Sequence, residues 1–74
     1  MSKKAQARHN ARVIVTAAAI RGKIVPLNEA FNVPRTNLPA IQDATILEQE
    51  AARMGLSYNG QDGSTYSFQR VRNP

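Results

Sequence analysis

The stretch LNEAFNVPRTNLPAI, Leu27 to Ile41, decides how the chain is to be folded. Leu27 and Phe31 are four residues apart and suit one face of a short helix. Pro26 stands just before it, at a position that tolerates a missing N–H. Asn32 then fits a helix stop, asparagine being the second choice after glycine. Beyond it Pro34, Arg35, Thr36 and Asn37 interrupt the pattern. The expectation is a helix over 27–31, a turn, and a longer helix opening at Asn37. Polar side chains able to bond phosphate or base edges would then stand where that helix begins.

Downstream, Ile41, Ala44, Leu47, Ala51 and Met54 recur at three- and four-residue steps, so the longer helix is expected over 37–54. Asn37 would cap it, and Pro39 would lie in its first turn. Gly55 ends it. Upstream, Val13, Ala17 and Ile20, with Ile14 and Ala18, make an apolar stripe, and the alanines favour a helix over 5–21. Residues 1–4 are expected to be a mobile tip. Gly22 would stop the first helix in the left-handed conformation. Lys23 to Val25 could then form a brief strand. The tail alternates differently. Leu56 and Tyr58, then Tyr66 and Phe68, flank a run of turn formers, which reads as a β-hairpin over 56–71. Pairing Tyr58 with Tyr66 and Leu56 with Phe68 puts all four on one face. Arg70, Arg72 and the tip would point to solvent.

With 74 residues the chain fits a single domain, 1–74, with a modest core. It holds no cysteine and one histidine, so neither a disulfide nor a thiolate or multi-histidine metal site can be built. No metal or other cofactor is expected. A reducing, cytoplasmic setting fits the missing cysteine. A second copy, as a homodimer, is one way to complete so small a core. The charge is uneven. Residues 1–23 hold Lys3, Lys4, Arg8, Arg12, Arg21 and Lys23 and no acid. Residues 24–54 hold two bases against four acids. Lys4, Arg8 and Arg12 fall at i, i+4 and i+8 on the first helix, where a polyanion would relieve their mutual repulsion.

This order of elements resembles the winged helix-turn-helix family across roughly Ala5 to Val71. The segment LNEAFNVP keeps Leu27, Phe31 and Val33 at the family's core positions, while Asn28 and Asn32 replace its usual alanine and turn glycine. The resemblance implies an α+β fold of three helices plus a C-terminal β-hairpin wing, and binding of double-stranded DNA. It makes Arg35, Thr36, Asn37 and Gln42 candidate base-reading residues, and each is of a type that can bond a base edge. Asn59, Gln61, Ser64, Arg70 and Arg72 would serve the wing. Lys3, Lys4, Arg8, Arg12 and Lys23 would meet phosphate without regard to sequence. The implied role is a small transcription regulator or accessory factor, nucleoid-associated if bacterial, of the kind a phage or other mobile element encodes.

Other classes stand beside it. A protein-docking module or small inhibitor would use the acids of the long helix, Asp43, Glu48 and Glu50. RNA binding would use the basic helix and the tyrosines. Thr36 and Asn37 would serve equally as helix caps, and His9 as a solvated side chain. No spacing suggests a catalytic site, so no enzyme is expected. The apolar run Val13–Ile20 is short for a signal peptide and is followed at once by Arg21 and Lys23. No segment approaches the length of a membrane span.

Overall fold

The structure, a computed structural model, describes residues 2–72. Helix α1 spans Lys3–Gly22, strand β1 Ala30–Pro34, helix α2 Ala44–Arg53, and strands β2 and β3 Leu56–Asp62 and Thr65–Arg70. The strands form one antiparallel sheet in the order β1-β3-β2, so β3 is central. Both helices pack on one face of it. Residues near Lys3 and near Asp43 line one cleft, and Arg12 reaches Glu50, so the helices run side by side in the same direction.

The expected fold of three helices plus a hairpin is therefore corrected to two helices and a three-stranded sheet. The error lies in the opening stretch. Residues 27–31 are not helical: Leu27 and Asn28 make a turn, with Asn28 at φ 69°, and β1 begins at Ala30. Phe31 and Val33 turn inward while Ala30, Asn32 and Pro34 face out. That is the two-residue alternation of a half-buried strand, and it prevailed over the single four-residue step from Leu27 to Phe31. Pairing decides the matter. β1 lies along β3 with Phe31 opposite Phe68 and Val33 opposite Tyr66. Their rings stack, with the Phe31 and Phe68 centroids 6.1 Å apart. The brief strand expected at Lys23–Val25 is a turn instead.

The longer helix also starts later than Asn37. Asn37 has φ 65°, outside both helical and ordinary capping geometry. Asp43 takes the capping role: its Oδ1 accepts from the amides of Thr45 at 2.9 Å and Ile46 at 3.2 Å. Residues 35–43 form a loop pinned to the sheet, where the Tyr66 hydroxyl donates to the Pro39 carbonyl at 3.0 Å. Leu38 and Ile41 pack against the core from this loop.

Helix α1 begins two residues before the expected Ala5, because the Ser2 hydroxyl accepts from the Ala5 amide. Lys3 and Lys4 are thus helical; Met1, placed with them in a mobile tip, lies outside the described residues. The buried face is Ala7, Ala11, Ile14, Val15, Ala18 and Gly22, so Val13 and Ile20 are on the outside. Gly22 is not a left-handed stop. It lets α1 approach the sheet: a Cβ there would meet Phe31 Cζ at 3.0 Å.

The hairpin and its inward face are as expected, but the register is not. Tyr58 pairs with Phe68 and Leu56 with Arg70. The loop is only Gly63-Ser64, with Gly63 at φ 58°, so pairing continues up to Asp62 and Thr65. A bulge at Asn59 absorbs one residue between Tyr58 and Gly60. The shift is even in Tyr58 and Leu56, which is why the faces survive it.

Candidate nucleic-acid interface

The carboxylate of Glu50 organises the basic side chains. It is buried between the helices, 8 % exposed. Arg12 Nε donates to its Oε1 at 2.7 Å and Arg53 Nη1 to its Oε2 at 3.2 Å. The Arg12 hydrogen bond holds the Glu50 pKa below its ordinary 4.5, against the opposing effect of burial; the two nearby positive charges add to the lowering. Both guanidinium groups stay largely in water, with side chains 61 % and 71 % exposed. One acid thus fixes two arginines at the groove between the helices and leaves a net positive charge there.

Arg8 and Lys4 continue from Arg12 at successive four-residue steps, both exposed. Each step is about 6 Å along the helix. Lys3 and Lys4 reach an open cleft of about 750 Å³ between the starts of the two helices, lined also by Gln42 and Asp43. Lys3, Lys4, Arg8, Arg12 and Gln42 are therefore brought together, and Arg53 joins them without having been anticipated. Its signal was its three-residue spacing from Glu50.

A second group lies at the hairpin tip. The Arg35 amide donates to the Ser64 carbonyl at 3.0 Å, which sets Arg35, and with it exposed Thr36 and Asn37, beside Ser64. Arg35 is half-buried over the Tyr66 ring, its Cζ 5.5 Å from the centroid, and Arg35 Nε has no hydrogen-bond partner. None of the three is on a helix, so the reading helix they were assigned to does not exist. Asn59 sits at the bulge and Gln61 near the tip, both exposed.

The remaining candidates are at the other end. Arg70 is opposite Leu56 and turns inward, where Nη1 donates to the Val25 carbonyl at 2.8 Å and more weakly to that of Gly22. Arg72 donates to the Ala52 carbonyl. Arg72 satisfies a carbonyl in the last turn of α2, and Arg70 satisfies those of the last residue of α1 and of the turn after it, where positive charge is favourable. Arg70 is turned into the fold, contrary to the expectation that it would face solvent, whereas Arg72 stays exposed while bonding α2. Lys23 is exposed just past the end of α1, about 30 Å from Lys3 along the axis.

The acidic docking surface is likewise not assembled. Asp43 caps α2 and Glu50 is enclosed by arginines, which leaves Glu48 alone in water. The tyrosines and phenylalanines turn toward the helices, with Tyr66 and Phe68 fully buried and Phe31 and Tyr58 packed against them. Burial, with Tyr66 nearby, raises the Tyr58 pKa above 10.0. Among the described residues, no group of three His, Asp or Glu side chains is placed to hold a metal, and no helix is long and apolar enough to cross a membrane. Compared with known proteins, the chain matches no protein-family model, no curated protein and no solved structure.

Proposed function

We propose that the protein is a small DNA-binding factor that holds the duplex through its phosphate backbone, in an accessory or regulatory role. The observation that carries this reading is the ridge of Lys4, Arg8 and Arg12 on an acid-free helix, extended by Arg53. Cations at regular spacing, exposed and held in place, are the usual means of sequence-independent phosphate contact. A duplex is favoured over a single strand because the aromatic rings are packed beneath the helices, leaving no stacking platform on the open face of the sheet. Exposed Gln42, which lines the cleft beside Lys3 and Lys4, is a side chain at the basic end that could touch a base.

Substitution separates this ridge from the rest of the charge. Arg8→Glu and Lys4→Glu should each weaken binding to any duplex and lower the slope of log affinity against log salt by about 1 or more. Lys23→Glu, at the far end of α1, should change it far less. Equal effects at all three positions would mean that only net charge matters and that no interface exists at the ridge.

A further inference from the structure

Arg35 differs from the other arginines held in the fold. Arg12 and Arg53 bond the Glu50 carboxylate, and Arg70 and Arg72 bond backbone carbonyls. Arg35 is half-buried, yet among the described residues nothing accepts a hydrogen bond from its guanidinium or pairs with its charge. Its Nε is shut off from water, and its Cζ lies 5.5 Å from the Tyr66 ring centroid. The ring orients the side chain, and the Leu38 amide, donating to the Arg35 carbonyl at 3.0 Å, fixes the backbone. The two Nη groups are not enclosed in this way. A cation so placed keeps only part of its hydration and has no counter-charge, which is costly until an anion meets it.

The surroundings add donors. Gln61 is opposite Tyr66, so its exposed side chain is on the same face, beside the ring that Arg35 covers. Tyr58, edge-on to Tyr66 with centroids 6.5 Å apart, brings a hydroxyl. The Arg35 charge is near enough to that hydroxyl to oppose the rise that burial causes in its pKa. Asp62 is opposite Thr65, and Thr65 is opposite outward-facing Pro34, so this acid lies on the other face of the sheet. Glu48 adjoins Tyr58 in a separate groove with Leu56 and Val71, and forms no ion pair with Arg35. We propose that Arg35, with Gln61 and the Tyr58 hydroxyl, binds one phosphate group at a site separate from the ridge on α1. A guanidinium fork meets two oxygens of a phosphate or of a carboxylate. Donors beyond the fork suit the tetrahedral group, which has oxygens left over. That phosphate is a backbone phosphate of the duplex or belongs to a small phosphorylated molecule. β2 leaves α2 through Gly55 and doubles back along it, since Tyr58 and Glu48 line one groove. The hairpin tip and Arg35 therefore lie toward the end where the helices start, which favours the duplex. Only that choice of source rests on the DNA reading.

The probe is inorganic phosphate, titrated at constant ionic strength and followed by NMR of the Arg35 Nε–H and the Gln61 side-chain amide. Both signals should shift and saturate. Acetate should bind at least ~10-fold more weakly. Arg35→Lys keeps the charge but loses the fork, and should weaken phosphate binding by about the same factor. Gln61→Ala changes an exposed side chain, leaves the core alone, and should weaken it as well. The proposal is overturned by the absence of a saturable shift, by shifts confined to Lys4 and Arg8 on the ridge, by acetate binding as tightly as phosphate, or by undiminished binding in both variants. A duplex then separates the two sources. Movement of the same two signals on duplex binding assigns the site to the DNA backbone. A duplex that binds without moving them assigns it to a free phosphate. A duplex that does not bind at all sinks the DNA reading and leaves the phosphate site standing.

Discussion

Gly55 and Gly63 both have positive φ, 74° and 58°, but they serve different purposes. Gly63 turns the hairpin in open space. Gly55 joins α2 to β2, and its carbonyl accepts the amides of Val71 at 2.9 Å and Arg72 at 3.2 Å. A Cβ at Gly55 would run into the Arg72 carbonyl. Gly63→Ala should therefore cost about 1 kcal/mol in urea unfolding, from backbone strain alone, and Gly55→Ala about 2–3 kcal/mol. Glu50 gives a prediction with a pH sign. Its carboxyl pKa is lowered in the folded state, so its contribution is complete above 4.5 and is lost as pH falls through the folded value. Glu50→Gln should cost roughly 1–2 kcal/mol at pH 7, discounted because both arginines are largely in water. The gap from the unsubstituted protein should begin to close as pH falls past 4.5 and be gone below the folded value. The pairing itself was not legible in the sequence, since Arg12 and Glu50 are 38 residues apart and no local spacing connects them.

At the scale of elements, what was legible rested on local signals. Helix α1 announced itself through alanines and spacing, and the hairpin through turn formers between alternating aromatics. β1 did not, because its five residues carry only one alternation and overlap a four-residue step that suits a helix. What settles it is distant: without β1, one edge of β3 and the Phe68 and Tyr66 rings would have no partner there. The start of α2 turned on a similar competition. Asn37 and Asp43 are both good caps by type, and only Asp43 has the backbone to use its side chain. Asp43→Ala should destabilise the protein by about 1 kcal/mol in chemical denaturation. Of the residues assigned to DNA, Lys4, Arg8 and Arg12 kept one side of α1, because helix periodicity alone sets it. Of those assigned to a reading helix, Arg35, Thr36 and Asn37 came to lie beside Ser64 at the hairpin tip and Gln42 at the basic end, while Arg70 and Arg72 of the expected wing were drawn to helix ends.

For the whole molecule, the outcome is a separation of surfaces. Both helices start at the end where Lys3, Lys4 and Gln42 gather, and the ridge through Arg8 and Arg12 leads to Arg53. Helix C-termini, Arg70 and Arg72 are at the other end, committed to backbone carbonyls. The central claim is that this ridge meets phosphate. The measurement that tests it most directly is fluorescence anisotropy of a labelled random duplex across a salt series, with the Lys4→Glu/Arg8→Glu double variant in parallel. Neutralising about four phosphates gives a slope near −3.6 for the unsubstituted protein, and the double variant should lose at least about 2 of it. Binding that is absent at low salt, or that keeps its full slope in the double variant, would contradict the account.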